Sequence, residues 1–396
     1  IIDIKVKKSC LTNNVWTGYE IVKNHNEQFA HLNNIGIVAN HTSKIMAINK
    51  NLQKIEVDFI NNANVKVIFT PEHGMKGNYQ AGEKIHSNES YNIPVISLYG
   101  KNKKPTDSDV KDLDAIFFDI QDIGSRYYTY VSTMTHVMEV CARNQVPFYV
   151  LDRPNPLGGK IQGPLLNQQY KSFVGMHVIP SRHGMTIGEL AFMINENQWL
   201  ESKQKVELYI VKMQGWDRNM YFDETNLSWI NPSPNIPDFE TSLLYNGMCL
   251  IEGTNISEGR GTNSPFKIIG APWIDSKKLI KDLESMKLQG VEFKEISFVP
   301  KSLAGKSSNP KYMNIPCSGI ELIVKDKEKI FPLEIAMQLL DIIYKNHPKD
   351  FKFINDNFID KLYGSDRLRL SIINNHDVKS LVQGLEAYKY EQFLLY

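Results

Sequence analysis

The chain has 396 residues, more than one hydrophobic core usually serves, so two domains are expected. Lys plus Arg number 45 against 44 Asp plus Glu; no global field is available to draw in polyanions, which argues against nucleic acid as a partner. No apolar run approaches the roughly 20 residues that a membrane span needs.

Short apolar runs stand at Ile35 to Ala39, Val65 to Phe69, Val95 to Leu98, Ala115 to Ile120 and Pro147 to Leu151. Their length, and helical patterns such as Tyr127 to Arg143, predict buried parallel strands in an α/β fold, a Rossmann-like doubly wound sheet. Polar turns follow four of the runs: Asn40-His41-Thr42, Pro71-Glu72-His73-Gly74, Asp119 to Arg126, and Asp152-Arg153-Pro154-Asn155. In such sheets ligands bind at the carboxyl ends of the strands, so the four turns are expected to converge on one site. No glycine-rich phosphate fingerprint follows the first run, and no cofactor is expected.

Thr186 to Trp199 predicts a helix capped by Thr186 with Glu189 as its capping-box partner, and Leu208 to Met213 a strand. Three prolines between Trp229 and Pro237 exclude helix and central strand there, leaving a linker or a rigid loop that lines a site. Beyond about residue 275 a smaller α/β unit is expected: helices Ser276 to Met286 and Pro332 to Tyr344, strands near Val291 to Val299 and Ile320 to Val324, and a last helix from about Val378. The expected domains are 1–255 and 256–396. Cys10, Cys141, Cys249 and Cys317 form no CxxC or Cys/His cluster, which disfavours zinc; Cys141, in an apolar helical stretch, is expected to be a buried free thiol.

Phe69-Thr70-Pro71-Glu72-His73-Gly74 is the strongest chemical candidate. Proline pre-sets the turn and glycine permits close backbone approach where Glu72 leaves a strand end. Glycoside hydrolysis needs a carboxylic acid to protonate the leaving oxygen, and partial burial is what keeps such an acid protonated. His73 could orient it or bind a hydroxyl; a helix-capping glutamate beside a structural histidine is the alternative. Asp119 and Asp122, with Arg126 and Tyr128 close by, offer a second carboxylate, or else a cap and an ion pair. In Glu258-Gly259-Arg260-Gly261-Thr262, two glycines flank an arginine suited to a carboxylate, although a simple turn would need the same glycines. Arg182 and His183 precede another glycine.

These segments also occur together. Phe-Thr-Pro-Glu-His-Gly (69–74), Phe-Asp-Ile-Gln-Asp-Ile-Gly-Ser-Arg-Tyr-Tyr-Thr-Tyr (118–130), Leu-Asp-Arg-Pro-Asn-Pro-Leu-Gly-Gly (151–159), Ser-Arg-His-Gly-Met-Thr-Ile-Gly-Glu-Leu (181–190), Pro-Ser-Pro-Asn-Ile-Pro (232–237) and Glu-Gly-Thr-Asn-Ile-Ser-Glu-Gly-Arg-Gly-Thr (252–262) resemble the exo-β-N-acetylmuramidase family over nearly the whole chain. The resemblance implies an active-site cleft between the two domains and hydrolysis of β-linked N-acetylmuramic acid from non-reducing ends of peptidoglycan saccharides and muropeptides. It places the catalytic glutamate at Glu72, in a periplasmic or secreted protein; a cytoplasmic location stays open.

On this reading Asp119 or Asp122 partners Glu72, while Arg153, Arg182 or Arg260 meets the lactyl carboxylate of muramic acid. Asn40, His73, Arg126, Tyr128, Asn155, His183, Glu258 and Thr262 complete the expected binding residues. Two rivals are a metal-dependent hydrolase using Glu72, His73, Asp119 and His183, and a cell-wall fragment binding protein without catalysis.

Overall fold

The computed structural model describes residues 1, 14–49, 54–57, 63–77, 92–354, 356–382 and 390–396. The apolar runs form strands β1 (Asn34–Ala39), β2 (Asn64–Thr70), β3 (Val95–Ser97), β4 (Ala115–Asp119) and β5 (Phe148–Leu151), and Leu208–Val211 forms β6. They make one sheet in the order β6-β5-β4-β1-β2-β3, parallel throughout. Strand order therefore reverses between β1 and β4, the position at which doubly wound folds open a crevice.

Successive side chains leave a strand on opposite faces, and here both faces are covered. Val38, Phe118, Phe148 and Val150 face a core shared with helices α2 (Tyr130–Asn144) and α3 (Ile187–Glu196). Ile37, Phe117, Tyr149 and Leu151 face the other side, against Tyr19, Ile21 and Val22 of helix α1 (Gly18–Asn24). Double coverage is why these runs are continuously apolar instead of alternating. The capping box at α3 is present as expected: Thr186 accepts from the Glu189 N–H, and Glu189 accepts from the Thr186 N–H.

Helix α2 begins three residues later than its apolar pattern predicts. Residues 127–129 stay outside it because the Tyr127 hydroxyl donates to the Asn246 carbonyl and the Tyr128 N–H closes a turn onto Ser125.

The smaller unit is an antiparallel sheet of β7 (Ile268–Ala271), β8 (Val291–Phe298) and β9 (Cys317–Val324), ordered β7-β9-β8. Helices α4 (Phe239–Met248), α5 (Ser276–Ser285), α6 (Pro332–Asn346) and α7 (Phe358–Tyr363) accompany it. Of the helix expected from Val378, the described part is a 3-10 turn, Val378–Val382, and residues 383–389 lie outside the described residues. Cys141, Cys249 and Cys317 are buried free thiols; Cys10 lies outside the described residues.

One apolar cluster runs without a break from Val38 and Phe118 of the large sheet to Leu339 and Leu340 of α6 and Leu362 of α7. Two polar devices reinforce this junction. Arg126, fully buried, donates to the carbonyls of Pro164, Ile179, Leu362 and Tyr363, tying a loop of the large unit to the end of α7. Burial lowers its guanidinium to about 10. Asp152, at the end of β5, accepts from the N–H groups of Arg153 and Gly188 and from the hydroxyls of Thr186 and Tyr396, so the last residues of the chain are pinned beneath α3.

Burial, and then the nearby charge of Glu189, push the Asp152 carboxyl from its ordinary 3.8 up to about 7, against the pull of its hydrogen bonds. The folded protein thus holds this proton more tightly than the unfolded chain does. The Asp152 contribution to stability is full below about pH 4 and declines as pH rises toward about 7. Urea unfolding from pH 4 to 8 should show a shallower decline for Asp152→Asn than for wild type; parallel curves would contradict the assignment.

Candidate active site

A cavity of about 460 Å³ opens where the carboxyl ends of β2 and β4 meet the smaller unit. Glu72 and His73 enter it from the turn after β2, and Tyr127, Tyr128 and Thr129 from the segment before α2. Tyr245, Cys249, Glu252, Arg260 and Phe266 form the facing wall, and Ser233 and Ile236 of the proline-rich loop complete it. That loop is a wall of the site and not a linker.

The turn after β2 aims Glu72. Gly74 N–H bonds back to the Pro71 carbonyl, and His73 and Gly74 both take left-handed backbone angles, φ 72° and 66°. Glycine adopts that conformation freely, whereas at His73 it is strained, and such strain is held only when surrounding contacts fix it. Glu72, 8% exposed, receives a hydrogen bond from the Thr129 hydroxyl at 2.8 Å.

The facing wall is a charge network. Arg260 donates through Nε and Nη2 to Glu252 and lies 3.4 Å from Glu258. Its Nη1 has no hydrogen-bond partner among the described residues. The guanidinium also lies 5.1 Å from the centre of the Phe266 ring. Burial alone would lower Arg260, but Glu252 and Glu258 hold it above its usual range. Lys311 donates to Glu258 at 2.9 Å and to the carbonyls of Ile251 and Ile256.

Of the expected site residues, Glu72, His73, Tyr128 and Arg260 line this cavity; the others do not. Asp119 is fully buried in the crevice between β1 and β4. It accepts from the N–H groups of Lys44 and Ile45 and pairs with Arg153 at 2.6 Å, which commits Arg153 as well. Asp122 accepts from the Gly124 N–H and lies 3.6 Å from His183. Asn40 closes its own turn through Thr42 and donates to the Tyr130 hydroxyl.

Asn155 donates to the Met185 carbonyl. Arg182 bonds the Leu157 carbonyl and Gln162, with Tyr221 beside it. Thr262 closes the Gly259 turn, and Glu258 reaches the cavity only through Arg260. Arg126 is spent on the domain junction. The postulated metal set does not assemble, since Asp119 and His183 are absent from the cavity that holds Glu72 and His73, and no potential metal-binding group of three or more His, Cys, Asp or Glu occurs among the described residues.

The family model described as exo-β-N-acetylmuramidase NamZ, N-terminal, matches residues 35–240, and its C-terminal counterpart matches 243–396. The chain belongs to the exo-β-N-acetylmuramidase family. Within that family it is 42% identical to the peptidoglycan β-N-acetylmuramidase NamZ of Bacillus subtilis over 358 residues, covering 89% of this chain and 83% of that protein. Two crystal structures of DUF1343 family proteins from Bacteroides fragilis are each 30% identical. They superpose with TM-scores of 0.78 and 0.72, covering 96% and 97% of this chain and 100% and 99% of theirs.

Glu252, Thr129, Tyr245 and Phe266, which line the cavity, were not among the residues singled out above. The signal for Glu252 was present, because it opens the Glu-Gly-Thr-Asn motif eight residues before Arg260. Glu258, the second acid beside Arg260, is tightly held: burial would raise its carboxyl, but Lys311 and then Arg260 bring it below its ordinary value. That stabilisation is present above the ordinary glutamate range and fades as pH falls through the lowered value. Glu258→Gln should therefore cost about 3 kcal/mol in denaturant unfolding near neutral pH, with the gap narrowing in acid; a gap independent of pH would refute the network.

Proposed function

We propose that this protein hydrolyses the glycosidic bond of β-linked N-acetylmuramic acid at non-reducing ends of peptidoglycan fragments, with Glu72 as the general acid. The observation that carries the reading is that one cavity holds both a buried carboxyl group, aimed by a strained turn, and an arginine with an uncommitted donor. Glu72 protonates the departing oxygen. Thr129 fixes the carboxyl through Oε2, and the buried surroundings strengthen the electrostatic interactions that the transition state needs.

Glu252 is the other carboxylate lining this cavity among the described residues. Bonded to Arg260, it is placed to steady the positive charge that builds on the sugar ring, and so takes the place of second carboxylate that the sequence offered to Asp119 or Asp122. Arg260 reads the lactyl carboxylate through Nη1. A sugar without that group leaves the donor unpaired, which is the physical basis for rejecting N-acetylglucosamine. Tyr245 and Phe266 offer apolar faces to the ring. Substrates of this kind reside in the cell wall, so a periplasmic or secreted location accords with the reading.

Glu72→Gln should lower kcat on a disaccharide ending in N-acetylmuramic acid by about 10²- to 10⁴-fold, followed by NMR of the released sugar; near wild-type turnover would exclude Glu72 as the acid. Arg260→Lys keeps the charge but loses the planar fork, so the preference for muramide over glucosaminide, as a ratio of kcat/KM, should fall about tenfold. Equal losses on both sugars would show that Arg260 does not read the carboxylate.

A further inference from the structure

A second hollow, more open and about 540 Å³ in volume, is lined by His41, Gly77, Trp229, Asn231 and Lys306, among others. Two chain segments connect it to the active-site cavity. The turn that carries Glu72 and His73 into the first cavity reaches the second at Gly77, and the proline-rich loop that gives Ser233 and Ile236 to the first gives Trp229 and Asn231 to the second. His41 lies close enough to His73 for the His73 charge to disfavour protonation of His41.

The lining has a definite chemistry. The Trp229 N–H is spent on the Ile236 carbonyl, so the indole has only its apolar surface to offer, and Ile230 beside it is 40% exposed. His41 uses Nε2 on the Asn231 carbonyl at 2.6 Å, and its Nδ1 has no partner among the described residues. Burial lowers His41 from its ordinary value, so the ring is neutral near pH 7 and Nδ1 is an acceptor. Lys306 is exposed, with no carboxylate partner among the described residues. An aromatic surface, a lone acceptor and spare donors suit a ring with hydroxyl and amide groups more than a charged or purely apolar guest.

An exo-acting hydrolase must hold the terminal sugar in its cavity and let the rest of the fragment leave past the general acid. We propose that this second hollow is the leaving-side subsite, and that it binds the N-acetylated hexosamine on the departing side of the scissile bond. The proposal rests on the function proposed above. The turn bearing Glu72 stands between the two sugars, as an acid that protonates the oxygen joining them must.

The test compares two substrates. N-acetylmuramyl fluoride has a single-atom leaving group and engages only the active-site cavity; the N-acetylmuramyl-N-acetylglucosamine disaccharide engages both. Trp229→Ala should raise KM for the disaccharide about tenfold and leave kcat/KM for the fluoride within about twofold. Lys306→Ala, at an exposed position with little bearing on folding, should shift the two substrates apart in the same direction by a smaller factor.

A split in either variant supports the subsite. Absence of a split in both, whether activity on the two substrates falls equally or not at all, overturns it. Wild-type protein that hydrolyses neither substrate would instead overturn the functional reading itself.

Discussion

The ion pair between Asp119 and Arg153 decides where this protein can bind anything. It sits at the point where strand order reverses, and Asp119 also takes the N–H groups of Lys44 and Ile45. These are groups that could otherwise face a phosphate. Three strand ends are thereby locked to one carboxylate: the turn after β1, the end of β4 and the start of the turn after β5. With the usual crevice filled by the protein itself, the open space is displaced toward β2 and the smaller unit.

That displacement explains the composition of the site. Its acid comes from the large unit and its cation from the small one, so neither unit alone contains a working cavity. Each wall is fixed by a different kind of force. Backbone geometry at His73 and Gly74 sets the first, whereas mutual neutralisation among Glu252, Glu258, Arg260 and Lys311 sets the second. Removing one member of such a buried set strands the others, which makes the wall demanding to alter.

The sheet was legible in the sequence for a simple reason: parallel strands covered on both faces must be apolar throughout, and few other elements are so short and so uniform. The chemistry was less legible. Asp and Arg at a strand end have the same appearance whether they greet a ligand or each other, and Asp119, Arg153 and Arg182 turned inward. Tyr127 and Tyr128 continued the helical pattern of α2 and were read as part of it, although tertiary hydrogen bonds hold them outside. Glu72 was readable because proline before it and glycine after it leave the chain little freedom, and Arg260 because glycines flank it.

Arg126 holds the two units together with no acidic partner among the described residues; its bonds go to four carbonyl oxygens. Carbonyls do not titrate, and a guanidinium near 10 keeps its charge in acid. The Arg126 tie is therefore indifferent to acidification, whereas the wall carrying Arg260 rests in part on the ionised Glu258. In acid strong enough to protonate Glu258, that wall would loosen while the Arg126 tie held, and it would reform on neutralisation without the halves having to reassemble.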